Sequence, residues 1–228
     1  MKVVAVIPCL NEEQFIGDIV AKALKHVDKV FVIDDGSTDH TADVARRAGA
    51  DVIRHEKRCG AGAATRTGFM AALKAGADIV VTLDGDGQHN ASEIPCVIKP
   101  LLDGEADLVI GSRFVNPSTN MPPYRKFGID IITWVYNLGS KVKISDSQSG
   151  FRAHSGKLLE TTHITHNDFG FSIEILVQAR KHGFTIREIP ISCLYHAQGS
   201  TADPVSHGLS VALSVVWLRL VYELFRLK

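Results

Sequence analysis

Short apolar runs alternate with amphipathic stretches through the first half of this chain, and that alternation restricts the fold more than any other feature. The runs cover 3–7, 29–33, 51–54, 79–83 and 108–110. Between them, 12–25, 41–48, 61–75 and 92–102 carry apolar residues at helical spacing. Strands that are apolar throughout are buried on both faces. Strands separated by helices predict a mostly parallel sheet with helices on each side, an α/β fold. Ser92 followed by Glu93 reads as a helix N-cap with an acid in the first turn.

In open sheets of this kind, ligands bind beyond the carboxyl ends of the strands. Polar residues gather there. Pro8-Cys9-Leu10-Asn11-Glu12 follows the first run, Asp34-Asp35-Gly36-Ser37-Thr38-Asp39 the second, and Asp84-Gly85-Asp86-Gly87-Gln88-His89 the fourth. Two carboxylates at one strand end, with glycines that let a ligand approach the backbone, suit a hard divalent cation such as Mg²⁺ or Mn²⁺. Asp and Gly are also turn residues, so a plain turn is the competing reading. Three polar clusters at three strand ends weigh towards a site. Asp34 and Asp35 can accept hydrogen bonds from a base N–H or a ribose. Asp84 and Asp86 can hold a metal against a diphosphate. The pair of pockets suits a nucleoside diphosphate carrying a sugar.

Other features narrow the field. Lys+Arg and Asp+Glu number 25 each, and this balance argues against nucleic acid as a partner. Cys9, Cys59, Cys96 and Cys193 form no CxxC pair and read as reduced thiols of a cytoplasmic protein. The chain enters a strand at Lys2-Val3, which reads as no signal peptide. The segment 59–68 has glycines at 60, 62 and 68 and matches neither a P-loop nor GxGxxG. It reads as a helix start packed on the sheet, where Lys57, Arg58 and Arg66 could favour an anion. His163 and His166 lack further ligands nearby and read as loop histidines rather than a zinc site. His89 is placed to orient the acidic motif.

After Ser112 the alternation stops. A loop over 116–123, a helix over 127–142, a loop over 145–150, a helix over 172–182 and short strands over 184–189 and 190–195 are expected, closing over the first half. Residues 208–218 are all apolar or small, too few for the ~20 residues of a bilayer span. Arg219, Glu223 and Arg226 then mark one polar stripe. The expected organisation is a domain over 1–204 and an apolar to amphipathic helix over 205–228. That helix packs on its own domain, on a partner, or at a membrane surface through 208–226.

Taken in order, Val6-Ile7-Pro8-Cys9-Leu10-Asn11-Glu12-Glu13, Val32-Ile33-Asp34-Asp35-Gly36-Ser37-Thr38-Asp39, Leu83-Asp84-Gly85-Asp86-Gly87-Gln88-His89, Gly111-Ser112-Arg113 and Asp146-Ser147-Gln148-Ser149-Gly150-Phe151-Arg152 resemble the inverting family 2 glycosyltransferases of GT-A fold. The branch most like it is the dolichyl-phosphate mannose or glucose synthases. The resemblance spans roughly 3–200 and implies a Rossmann-like, mostly parallel sheet. It implies that Pro8, Cys9, Asn11, Glu12, Asp34, Asp35 and Gly60 belong to the nucleotide side, with Asp84, Gly85, Asp86 and Gln88 around the metal. Asp84, Asp86 and Gln88 are the expected metal set. Arg113 and Arg125 would face phosphates, Ser149, Gly150 and Phe151 the acceptor, and Glu174 matches a recurrent acidic position. The chain departs from the family pattern where Gly60-Ala61-Gly62 lacks a basic residue. It departs again at 196–201, where His196 stands in place of an Arg and a Lys.

The implied reaction transfers a hexose from GDP- or UDP-hexose to a polyprenyl (dolichyl) phosphate at the cytoplasmic membrane face. The implied cofactor is Mg²⁺ or Mn²⁺. A phosphate acceptor is already ionised and needs cations, which suits Arg113 and Arg125. An alcohol acceptor would need a base, for which Asp168 and Glu174 are candidates. The alternatives left open are a soluble transferase acting on a sugar or protein hydroxyl, and a nucleotide-sugar-binding protein without turnover. A nucleotidyltransferase fits less well, since no basic Gly-rich loop follows the first run directly. A homodimer is a further open option.

Overall fold

The computed structural model describes residues 1–115, 121–140 and 142–194. In chain order they form β1 (Val3–Cys9), α1 (Ile16–Ala23), β2 (Lys29–Asp34), α2 (Thr41–Arg47), β3 (Asp51–Arg54), α3 (Ala61–Lys74), β4 (Ile79–Thr82), a 3₁₀ turn (Ala91–Glu93), α4 (Ile94–Leu102), β5 (Leu108–Ser112), α5 (Pro123–Asn137), β6 (Arg152–Ser155), α6 (Gly156–Thr161), α7 (Phe171–Lys181) and β7 (Ile186–Pro190). The strands make one seven-stranded sheet in the order β3-β2-β1-β4-β6-β5-β7. Every pairing is parallel except those of β6, which runs antiparallel to both β4 and β5.

Burial on both sheet faces follows from the apolar runs. Val3, Ala5 and Ile7 of β1 enter the core beneath α1 and α4, while Val4 and Val6 enter the core beneath α3, α5 and α7. Gly68 lets α3 lie close on the sheet, since a Cβ there would run into the side chain of Val6.

The boundaries differ from expectation for local reasons. Helix α1 starts at Ile16 and not near 12; a turn in which the Glu12 carbonyl accepts from Phe15 N (3.1 Å) and Ile16 N (3.0 Å) leads into it. Helix α5 lies earlier than 127–142. Pro123 sits in its first turn and Gly139, at φ 68°, follows its end. Over 190–194 the second expected strand is reduced to one bridge between Cys193 and His89. Strand β6 and helix α6 had no apolar signature to announce them. No helix among the described residues is long and apolar enough to cross a membrane. The 205–228 helix, its boundary at 204 and His196 lie outside the described residues.

Candidate active site

Strand β1 has β2 on one side and β4 on the other, so the chain leaves its carboxyl end in both directions and a crevice opens there. A cavity of ≈ 450 Å³ occupies it. Of the sequence-selected residues, Pro8, Cys9, Glu12, Asp35, Asp84, Gly85, Asp86, Gln88, Arg113, Arg125, Ser149 and Gly150 lie on its wall. Asn11, Asp34, Gly60, Asp168 and Glu174 do not.

Asp84 and Asp86 follow β4 directly. Asp86 accepts from Gln88 N (3.0 Å) and from Gln88 Nε2 (2.7 Å), so Gln88 orients that carboxylate through its amide nitrogen. Burial raises Asp86, and desolvation raises Asp84 although half of its side chain stays open to solvent. Arg113 and Arg152 partly oppose the rise at Asp84, and Asp84 adds to it at Asp86. His89 lies behind them, its Nδ1 3.5 Å from Asp84 Oδ2. Burial, then Arg113, lowers it to about 4, so it is neutral near pH 7. Gly150 gives Asp84 room, since a Cβ there would collide with the Asp84 carboxylate. Two adjacent oxygen donors whose negative charge is costly without a counter-ion fit a hard divalent cation. On the same wall Glu12 is raised to about 7 by burial, then by Asp86, Asp39 and Asp84. Burial, reinforced by these acids, keeps the Cys9 thiol protonated.

Asp35 fastens the glycine-rich segment to the end of β2. Its Oδ1 accepts from Cys59 N (2.9 Å) and His55 Nδ1 (2.7 Å), and its Oδ2 from Gly60 N (2.8 Å). Gly60 takes φ 101°, a conformation open to glycine, and lies against the backbone of Asn167. Asp35, His55 and Cys59 also bring a ligand atom each within 4.8 Å of one another, a cluster knitted by these structural bonds. Asp34 sits under the turn, accepting from Ser37 N (2.9 Å) and facing Arg54 Nε at 3.2 Å. Asn11, at φ 59°, takes Thr38 N on its Oδ1 (2.8 Å) and gives its own N–H to Ser37 (2.9 Å). Asn11 and Asp34 therefore shape the loops and do not face the cavity.

Four arginines, Arg58, Arg113, Arg125 and Arg152, line the same cavity as the acids. Arg113 is clamped by Asp146 through Nε (2.7 Å) and Nη2 (2.8 Å), both side chains buried. This lowers Asp146, the guanidinium outweighing the opposing effect of burial. Glu188 of β7 in turn takes Ser145 N (2.7 Å) and Asp146 N (2.9 Å). Arg152 donates to the carbonyls of Ser149 (2.8 Å), Ser172 (2.9 Å) and Ser147 (2.7 Å), which holds the 147–150 loop shut over β4. Burial brings it down to about 10, still a cation at neutral pH. Phe151 packs beneath, its ring 5.6 Å from His89.

Two expectations need correction. Glu174 is fully buried and accepts from Thr165 Oγ1 (2.7 Å), Thr165 N (2.9 Å) and His166 N (3.2 Å), so it anchors the 163–168 loop. Asp168 accepts from Gly170 N (2.9 Å) ahead of α7. Their placement leaves neither as a base at the cavity. Arg152, Asp146 and Glu188 are the residues the sequence reading left without a role. The first two lay inside a motif already singled out, whereas nothing local distinguishes Glu188.

A strand-end acidic pair beneath a parallel sheet with a reversed β6 defines a Rossmann-like glycosyltransferase domain of the GT-A type. The profile described as "Glycosyl transferase family 2" matches residues 4–171. The chain belongs to that family and is a glycosyltransferase. It is 31% identical to the UDP-N-acetylglucosamine–dolichyl-phosphate N-acetylglucosaminyltransferase of Methanococcus voltae, over 98% of this chain and 94% of that one. It is 30% identical to the dolichyl-phosphate hexose transferase of Haloferax volcanii, over 90% and 89%. Glucosyl-3-phosphoglycerate synthase from Mycobacterium tuberculosis, crystallised with Mn²⁺, UDP and phosphoglyceric acid, superposes with a TM-score of 0.76 over 96% of this chain and 78% of that one, at 24% identity. That likeness concerns the fold.

Proposed function

We propose that this enzyme moves a hexose from a nucleoside-diphosphate sugar to a polyprenyl phosphate, with inversion, at a site loaded with Mg²⁺ or Mn²⁺. One observation carries the reading: Asp84 and Asp86 line the same cavity as the cations Arg58, Arg113, Arg125 and Arg152. Names of relatives that act on dolichyl phosphate support the acceptor. In this reading Asp84 and Asp86 hold the cation, with Gln88 aligning Asp86. The bound cation supplies Lewis-acid stabilisation to the departing diphosphate. Arg113 and Arg152, fixed before substrate arrives, add preorganised positive charge. Pro8, Glu12 and Asp35 border the nucleotide, and Asn11, Asp34 and Gly60 set the loops around it. Arg125 holds the acceptor phosphate.

A phosphate acceptor needs no proton removed. This agrees with the positions of Asp168 and Glu174 away from the cavity wall. It favours lipid phosphate over an alcohol acceptor. The test is transfer from UDP- and GDP-hexoses to a short-chain polyprenyl phosphate with Mn²⁺. Asp86→Ala is expected to lower turnover by about 10²-fold or more while leaving the thermal transition in place. Full activity in that variant would refute the role, and transfer to a soluble alcohol alone would refute the acceptor.

A further inference from the structure

His55, directly after β3, is held at both ring nitrogens. Its Nδ1 lies 2.7 Å from Asp35 Oδ1 and its Nε2 lies 3.0 Å from Thr67 Oγ1. Thr67 Oγ1 also bonds the Ala63 carbonyl, at 3.1 Å. A carbonyl can only accept, so the one hydroxyl proton of Thr67 goes there, and the hydroxyl oxygen accepts from Nε2–H. Nδ1 and Oδ1 then face each other as two lone-pair atoms. Only a cation between them, a proton or a metal ion, makes that contact attractive. Cys59 Sγ is the third atom at this place, since the three ligand atoms lie within 4.8 Å of one another. Its thiol donates to the Lys57 carbonyl (3.2 Å), which leaves the sulfur lone pairs available.

We propose that Asp35, His55 and Cys59 form a second cation site, one for an ion of the Zn²⁺ class. The donor set decides the class. A carboxylate oxygen, an imidazole nitrogen and a sulfur suit Zn²⁺, whereas Mg²⁺ and Mn²⁺ prefer oxygen donors such as those of Asp84 and Asp86. The ligands are also held in advance. The side chains of His55 and Asp35 are 15% and 6% exposed. The Nε2–H bond to Thr67 fixes the tautomer and the ring orientation, the outer support that a zinc-bound histidine needs. The ion takes the place of the Nδ1 proton and of the thiol proton, and both are released to solvent on binding. Asp35 meanwhile keeps its bonds from Cys59 N (2.9 Å) and Gly60 N (2.8 Å), so the glycine-rich segment stays fastened. Cys59 is exposed, which gives the ion a path in and leaves its fourth position to water. Asp35 also lines the cavity. An ion here therefore ties the ends of β2 and β3 and the start of α3 into one unit at the cavity's edge.

The test uses the full chain, freed of metal by a chelator, and Co²⁺ as a spectroscopic substitute for Zn²⁺. Co²⁺ is expected to produce a thiolate-to-cobalt charge-transfer band that saturates at about one ion per chain and is abolished by Zn²⁺ but not by excess Mg²⁺. Cys59→Ser is expected to remove the band. Thr67→Val takes away only the outer bond and is expected to weaken Zn²⁺ binding by about 10–100-fold. Asp86→Ala is expected to change neither reading. Absence of the band in the native chain would overturn the proposal. So would a band that survives Cys59→Ser, which would place the ion on Cys9, Cys96 or Cys193, or a band lost in Asp86→Ala, which would place it at the other acids. The Thr67→Val arm does not depend on the cysteine variant, and an unchanged Zn²⁺ affinity there would overturn Nδ1 of His55 as a ligand.

Discussion

At the residue scale the site is a problem of placing negative charge. Asp84, Asp86 and Glu12 line one cavity; burial pushes Glu12 to about 7 and raises Asp86, and the half-exposed Asp84 adds its charge to both. A carboxyl raised in the folded state binds protons that the unfolded chain releases. Stability from these groups is therefore present below the unfolded carboxylate range, near pH 4, and is lost as pH climbs through the folded values. The metal-free enzyme is expected to lose thermal stability between about pH 4 and about 7, and Mn²⁺ to restore it increasingly over the same interval. Melting temperatures with and without Mn²⁺ across that range check this. A Mn²⁺ effect independent of pH would count against the two aspartates as its ligands. Asp84-Gly85-Asp86 was legible in the sequence because its chemistry is local, with two carboxylates and their glycine within three positions. Asn11 and Asp34 were equally visible, but their partners in the neighbouring loop decide that they shape the site without facing it.

At the scale of elements, the loop over 145–151 is held from three directions: by Arg113 at the end of β5, by Arg152 in β6 and by Glu188 in β7. The buried Arg113–Asp146 pair is the joint between them. Asp146→Ala would leave a guanidinium buried without its carboxylate. It is expected to cost about 3–5 kcal/mol, measured by denaturant unfolding, with a loss of transfer that exceeds the loss of fold. Asp146→Asn, which keeps the shape and part of the hydrogen bonding, should cost less. A stability unchanged in Asp146→Ala would mean the pair contributes nothing net. The Arg113–Asp146 and Glu188–Ser145 contacts join positions 33 and 43 residues apart, so no reading of local spacing could reveal them. The same limit hid β6. Arg152-Ala153-His154-Ser155 lacks the apolar signature of a central strand, yet it lies between β4 and β5, paired antiparallel to both through its backbone.

At the scale of the whole molecule, the two cores on either side of the sheet make a rigid floor, and the crevice lies at the point where connections diverge from β1. A ligand that ties β1, β4 and the 145–151 loop together should stabilise the domain as a unit. At a nucleotide concentration near 100 Kd with Mn²⁺, the gain is about 2.7 kcal/mol. For a chain of 228 residues that corresponds to a rise of roughly 5–10 °C in Tm. A thermal shift screen of UDP- and GDP-sugars reads this directly and ranks the donors. The expected rise disappears in Asp86→Ala if the cation and nucleotide bind together.

The sequence by itself determined the βα order, the burial of both sheet faces and the placing of polar clusters at strand ends. Each follows from apolar periodicity and from residue types within a few positions of one another. Tertiary structure alone decided which of those polar residues face the cavity and which serve the loops. It turned Glu174 and Asp168 into loop anchors, brought Arg152 beside Asp84, set Glu188 behind Arg113 and left one side of α5 exposed. The physical reason is the same throughout. A side chain's charge state and hydrogen-bond partners depend on groups distant in the chain, and only the closed sheet brings those groups into contact.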